Sequence, residues 1–420
     1  MRSRNTIFAA MAAAALLMGG VAARAQTIQQ RMDALEKKVD DGQKSIAGLL
    51  GIEIHGLVAT NYNYNFNSPD SGKNQIHVFD DKANSISLDQ ANINIQRKKP
   101  EGLGFNLDVD FGRTAEVVGG TTRWGSGSNN RPVELRQAYV TYAFPDTPFS
   151  IEAGKFVTYH GAEVIKAYNN LNYNISNSIL FGFSIPFTHT GLLGTYTLPN
   201  DLGSVSAGVV NGWDNVVDNN SSKSLHGMFT LTPDPMFTFA VSTTYGAEQD
   251  NRGDSKRLMV SPLITVKATD QWTFILDYNY GNESNVSLCP LGSRSLGCGA
   301  PATSTTGLFR APGNAMWQGA AAYAVFAPTS DWQFALRGEI FDDPDGVRTL
   351  FQETGKGPGA TFWEVTPTVA YKITDNLTAR AEYRHDESDK RFFDKRIYAD
   401  GSTLNLRGQD LIATELIYAF

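Results

Sequence analysis

Joints that are alternately tiny and long constrain this 420-residue chain more than any single segment does. The tiny ones are made of turn residues: Pro100-Glu101-Gly102, Pro145-Asp146-Thr147-Pro148, Pro199-Asn200-Asp201, Pro233-Asp234-Pro235, Ala268-Thr269-Asp270, Pro328-Thr329-Ser330 and Thr374-Asp375-Asn376. Between them fall long polar stretches at 67–83, 112–132, 158–187, 214–223, 247–255, 283–313, 342–360 and 388–407. The segments in between alternate apolar and polar residues, which is the period of a strand with two unlike faces. In 52–66, for instance, Ile54, Val58, Tyr62, Tyr64 and Phe66 share one face, while His55, Asn61, Asn63 and Asn65 share the other.

Similar segments lie at 84–97, 103–111, 133–144, 149–157, 188–198, 203–213, 224–232, 236–246, 256–267, 271–282, 314–327, 331–341, 361–373, 376–387 and 408–420. They bring the total to about 16, an even number of the kind bacterial barrels use. Short turns at one end and long loops at the other predict an all-β fold, a transmembrane antiparallel β-barrel with periplasmic turns and external loops. The mean hydropathy of −0.26 excludes a polytopic helical membrane protein but not a barrel, whose lipid-facing and lumen-facing residues average to a polar-looking sequence. Aromatics agree: Phe149, Phe237, Trp272 and Trp332 follow short turns, and Tyr245 and Tyr280 lie further along two of those strands on the same face. Two strands are less regular. The apolar phase slips between Leu88 and Ala91, and both faces of 133–144 are half apolar, so a bulge or a subunit contact is expected there.

The N-terminus predicts export. Arg2 and Arg4 precede an apolar run, Ile7 to Gly20, and Ala23-Arg24-Ala25 forms a cleavage site, so residues 1–25 read as a signal peptide. Cleavage would remove three arginines and change the formal charge from 36 − 43 = −7 to 33 − 43 = −10. An acidic chain argues against nucleic acid as a partner. Residues 26–50 predict a short periplasmic helix or coiled coil, with Met32, Val39 and Ile46 at a positions and Ile28, Leu35 and Leu49 at d, interrupted by Gly42. The barrel is expected to occupy 51–420.

The last strand ends in Phe420, with Tyr418 and Leu416 on the same face, and looks like the assembly signal that the barrel-insertion machinery reads in outer-membrane barrels. Its geometry predicts Ile412, Leu416, Tyr418 and Phe420 toward lipid, Glu415 toward water, and pairing with 52–66. Further motifs occur in order: Gly154-Lys155-Phe156, Gly161 and Glu163, Pro186-Phe187-Thr188-His189-Thr190-Gly191, Asn211-Gly212-Trp213-Asp214-Asn215, then Tyr245-Gly246 and Glu248. In these the chain resembles the second β-barrel porin family, the OmpL-like outer-membrane porins. The resemblance implies a passive porin and, by strand counting, a constriction loop at 158–187 carrying Glu163 and Lys166. Tyr159-His160 departs from the family's stretch, where a proline is expected.

Charges alternating with apolar residues should line the lumen, because an arginine facing the bilayer midplane would cost about 2–4 kcal/mol. The pore-lining candidates are Asp108 and Asp110, Arg337 and Glu339, and Arg380, Glu382 and Arg384. Either Arg337, Arg380 and Arg384 form a basic arc opposed by acids such as Asp108, Asp110 and Glu163, setting a transverse field, or these charges only keep the lumen hydrated. Cys289 and Cys298 predict a disulfide hairpin within one loop. The six histidines show no ligand spacing, so neither a metal nor another cofactor is expected, and no motif suggests an enzyme. The expected role is passive diffusion of small hydrophilic solutes and ions by a homotrimer in outer-membrane lipid. The alternatives are an anion- or phosphate-selective porin, or an adhesin or scaffold acting through its long loops.

Overall fold

The computed structural model describes residues 32, 35–37, 51–98, 100–121, 132–286, 313–349, 352–353, 357–398 and 403–420. Two compact units divide at Ile54. In the first, Met32 and residues 35–37 are helical and exposed, while the signal segment and most of the heptad positions lie outside the described residues. The two cysteines also lie outside them.

The second unit is a closed antiparallel barrel of sixteen strands. In chain order these are β1 (Glu53–Asn65), β2 (Ser85–Arg97), β3 (Gly102–Phe111), β4 (Val133–Ala143), β5 (Phe149–Val157), β6 (Thr188–Thr197), β7 (Gly203–Val210) and β8 (Ser224–Asp234). They continue as β9 (Phe237–Gln249), β10 (Arg252–Lys267), β11 (Trp272–Val286), β12 (Gly313–Phe326), β13 (Trp332–Asp343), β14 (Ala360–Lys372), β15 (Leu377–Ser388) and β16 (Gly408–Ala419). Each pairs with its sequence neighbour, and β16 closes on β1 from Leu57↔Ala419 to Asn65↔Leu411. No described helix is long and apolar enough to cross a membrane.

Alternation sorts the two faces as expected. On β16, Ile412, Leu416 and Tyr418 are exposed on the outer surface, as is Phe420 just after it, while Glu415 is buried inside. Trp272 stacks on Phe326 at 4.6 Å, and Trp332 meets Tyr371 at the same distance, forming part of an outer aromatic belt beside the short turns. The two irregular strands have local causes. Asp108 pairs with Gln137 and Val109 with Leu135, which leaves Arg136 as the extra residue of a bulge on β4. On β2, consecutive Asp89 and Gln90 are both buried, and the inward phase changes there.

Three features depart from the sequence-based expectation. The stretch 247–255 is mostly strand: β9 and β10 run to Gln249 and from Arg252, leaving a turn at Asp250-Asn251 with Asn251 in the left-handed region. The second long joint contains a helix, α1 (Arg113–Thr121), whose Val117 and Val118 are buried. Most notably, the hydrophobic core lies inside the barrel, where a polar lumen is expected. Ile76 and Phe79 of the first loop, α1, Ile165, Ile179, Leu180, Phe181, Ile185 and Phe187 of the third loop, and wall residues such as Trp317, Phe341 and Phe362 pack together there. The apolar residues of the infolded loops need cover, and inward-facing aromatics supply it.

Thr60 and Leu416 are Cα partners on the outer face. Cysteines at both positions are expected to form a β1–β16 disulfide under mild oxidation, seen as a mobility shift on unreduced gels; a pair offset by two residues along β16 should crosslink far less.

Candidate channel constriction

Residues 158–187 leave β5, cross the lumen and return to β6, and the barrel wall holds them largely by their main chain. The Glu382 carboxylate accepts the N–H groups of Ile175 (2.6 Å) and Ser176 (3.0 Å). Glu339 accepts those of Ile179 and, at 3.1 Å, Leu180. Arginines take the carbonyls: Arg337 donates to Ser176 (2.7 Å), Arg384 to Asn177 (2.7 Å), Arg380 to Asn172 (2.6 Å) and Arg136 to Lys166 (2.7 Å). Across the barrel, Asp277 on β11 accepts the Ala162 N–H at 2.8 Å and Ser261 on β10 the Gly161 N–H at 3.0 Å. A loop crossing an interior has no ladder partner, so these side chains satisfy its backbone.

The pore-lining candidates therefore all face inward, but the loop covers them. Arg337, Arg380 and Arg384 are each 5% exposed or less, and each is paired: Arg337 with Glu163 (2.8 Å) and Glu364 (2.7 Å), Arg380 with Glu415, and Arg384 with Asp386 (2.7 Å). Glu163 does not oppose the arc across open water; it lies on it, also accepting the Ser178 N–H at 2.8 Å and the Tyr323 hydroxyl at 3.0 Å. The infolding loop carries Glu163 onto the Arg337 guanidinium, adding a second carboxylate to the Glu364 of the wall. Asp108 and Asp110 are likewise neutralised, by Arg136 at 2.8 and 3.4 Å. The β4 bulge hid Arg136 from a reading based on strict alternation; Glu364, between the outward-facing Trp363 and Val365, was legible in that alternation. Lys166 pins the loop between Asp89 and Glu415, both at 2.5 Å. Burial opposes its charge, but the two carboxylates outweigh it and hold its pKa above the ordinary lysine value.

The root of the loop is built from the ordered motifs noted in the sequence. Asp214 accepts the N–H groups of Phe187 and Thr188, both at 2.8 Å, and Glu248 accepts that of Trp213 at 2.6 Å. Trp317 donates its indole N–H to the Ser184 carbonyl at 3.0 Å. Its ring occupies the space over Gly281, where a Cβ would stand 1.9 Å from it. Arg257 and Arg348 each lie 4.6 Å from the Trp213 ring, and Arg348 donates to the Phe183 carbonyl at 2.5 Å.

The family described as "Putative beta-barrel porin-2, OmpL-like" matches residues 51–420. The chain belongs to this porin family. A search of the curated proteins finds no match. Among solved structures, the porin is similar to Pseudomonas putida OprB at high pH, with 12% identity, a TM-score of 0.56, and 90% of this chain and 97% of the other covered. It also resembles an anion-selective porin from Comamonas acidovorans, at 10% identity and a TM-score of 0.53, covering 88% and 99%. The trimer form of Vibrio cholerae OmpT matches at 11% identity and 0.51, covering 88% and 99%. Identities this low speak for a shared fold. Family and fold together identify an outer-membrane channel.

The porin's first loop, between β1 and β2, is fastened onto the same wall. His77 contacts Asp80 at 2.7 Å and Asp386 at 3.0 Å. Burial and Arg384 push the imidazole pKa down, but the two carboxylates outweigh them and raise it to about 9.

Arg337→Ala would leave Glu163 and Glu364 buried without their partner, with an expected loss of about 3–5 kcal/mol in urea unfolding of the refolded porin. Arg337→Lys should recover only part of it, since lysine lacks the guanidinium fork. The docking of the first loop should depend on pH. The folded pKa of His77 is raised, so its contribution is full below pH 6.5, the unfolded value, and disappears as pH rises through about 9. The loss is about 3 kcal/mol, read as faster proteolysis of 66–84 at pH 10 than at pH 6 beyond the rise in unpaired peptide controls.

Proposed function

We propose that this outer-membrane porin is a passive diffusion channel for small hydrophilic solutes and ions, with the 158–187 loop setting the bore, and that it performs no catalysis. The supporting observation is the fastening of that loop to opposite sides of the wall: Lys166 to Glu415 on β16 and Asp89 on β2, and Ala162 to Asp277 on β11. A loop held across the lumen narrows it without a moving part. In this reading the short turns are periplasmic, the long loops external, and three copies assemble in the membrane, as in the trimer form of Vibrio cholerae OmpT.

The loop and its wall also support a preference for cations. Around the fastened loop, the carboxylates of Asp89, Asp108, Asp110, Glu163, Asp277, Glu339, Glu364, Glu382, Asp386 and Glu415 outnumber the cations Arg136, Lys166, Arg337, Arg348, Arg380 and Arg384. In planar bilayers the refolded porin should give stable open steps, with a salt-gradient reversal potential of the sign for cation selectivity. A silent barrel that instead binds a surface partner would favour the scaffold reading. An anion-signed potential would remove the cation preference while leaving the channel.

A further inference from the structure

Three histidines that the channel does not use meet inside the barrel. His160 stands near the start of the constriction loop, His189 on β6 and His226 on β8, and none is more than 2% exposed. One nitrogen from each ring lies within 4.8 Å of the other two. The rings of His189 and His226 are 4.3 Å apart, and that of His160 stands 5.4 Å from His226. In the sequence they are far apart, which is why no ligand spacing was visible.

Their hydrogen bonds show which nitrogens are available. The Gly212 carbonyl can only accept, so His189 carries its proton on Nδ1 (3.1 Å), and its Nε2 keeps a lone pair, met only by the Thr158 hydroxyl at 3.2 Å. His226 Nδ1 meets the Thr244 hydroxyl at 2.8 Å, and its Nε2 is buried with no hydrogen-bond partner. His160 touches only hydroxyls, Ser242 at 2.7 Å and Thr244 at 2.8 Å, which can turn to release a nitrogen.

We propose that His160, His189 and His226 form a binding site for a divalent borderline transition-metal ion, zinc in particular, which ties the root of the constriction loop to β6 and β8. Three neutral imidazoles suit zinc, cobalt, nickel or copper and do not suit calcium or magnesium, which take oxygen ligands. Three protein ligands around zinc leave a fourth position for water or a passing solute. The carbonyl on His189 Nδ1 is the outer-shell contact that fixes a ligand's tautomer. Ligands about 2.0 Å from zinc stand roughly 3.3 Å apart, so the rings must close by about 1.5 Å. His160 would make that approach by exchanging its contacts with the Ser242 and Thr244 hydroxyls for the ion.

The test uses the mature, untagged porin refolded in detergent, because a polyhistidine tag would itself take up metal. After dialysis against Zn2+ and then metal-free buffer, about one ion per folded chain should remain, and Co2+ in its place should give visible d–d bands of four-coordinate nitrogen ligation. His226→Gln and His189→Gln should lose both signals while keeping heat-modifiable mobility, and His385→Gln should keep them. Where a variant fails to fold, zinc K-edge absorption of the unaltered porin decides, with three imidazole shells expected. No retained ion, bands that survive His226→Gln, or fewer than two imidazole shells would overturn the site.

Discussion

Hydrocarbon offers a peptide group no hydrogen-bond partner, and that requirement governs the whole barrel. Every strand must find its neighbours, and the first must find the last, which β1 and β16 do from Leu57↔Ala419 to Asn65↔Leu411. Closure fixes the alternation, and alternation sends Leu416 and Tyr418 outward and Glu415 inward. Outside, single apolar residues and an aromatic belt suffice. Inside, the wall must accommodate both charge and the loops that fold into it.

The interior resolves this by using the charges as fasteners. A buried ion pair brings little net stability, because desolvation offsets the attraction, but it strongly disfavours any arrangement that leaves one partner alone. Arg337 illustrates the point: Glu163 and the Ser176 carbonyl come from the loop and Glu364 from β14, so one guanidinium on β13 requires all three segments to be in place together. The apolar residues of the loops then pack behind these contacts against Trp317, Phe341 and Phe362. The result is a barrel with a core inside it and an infolded segment tied to its wall at many points.

The barrel was legible because strand periodicity and turn chemistry act locally. Sixteen strands, the β1–β16 closure and the inward direction of Arg380, Glu382 and Arg384 all follow from residues two apart and from Pro-, Asn- and Asp-rich joints. The interior was legible only in part, because loop placement is not periodic. Nothing near Glu163 in the chain says that it meets Arg337, and His160, His189 and His226 show no mutual spacing. A signal did exist in the loop: Ile179-Leu180-Phe181 is too apolar for a segment in water. Arg136 was obscured by a one-residue bulge, which reverses the face of every residue beyond it.

The infolded 158–187 segment is held through amide and carbonyl groups that every amino acid other than proline carries. Glu382 and Glu339 grip N–H groups at 175, 176, 179 and 180, and Arg384 and Arg380 grip carbonyls at 177 and 172. The wall thus dictates the route of the segment while leaving many of the side chains along it open to change. Substitutions along it that spare these grips should therefore alter the lining of the barrel interior without altering the path of the chain.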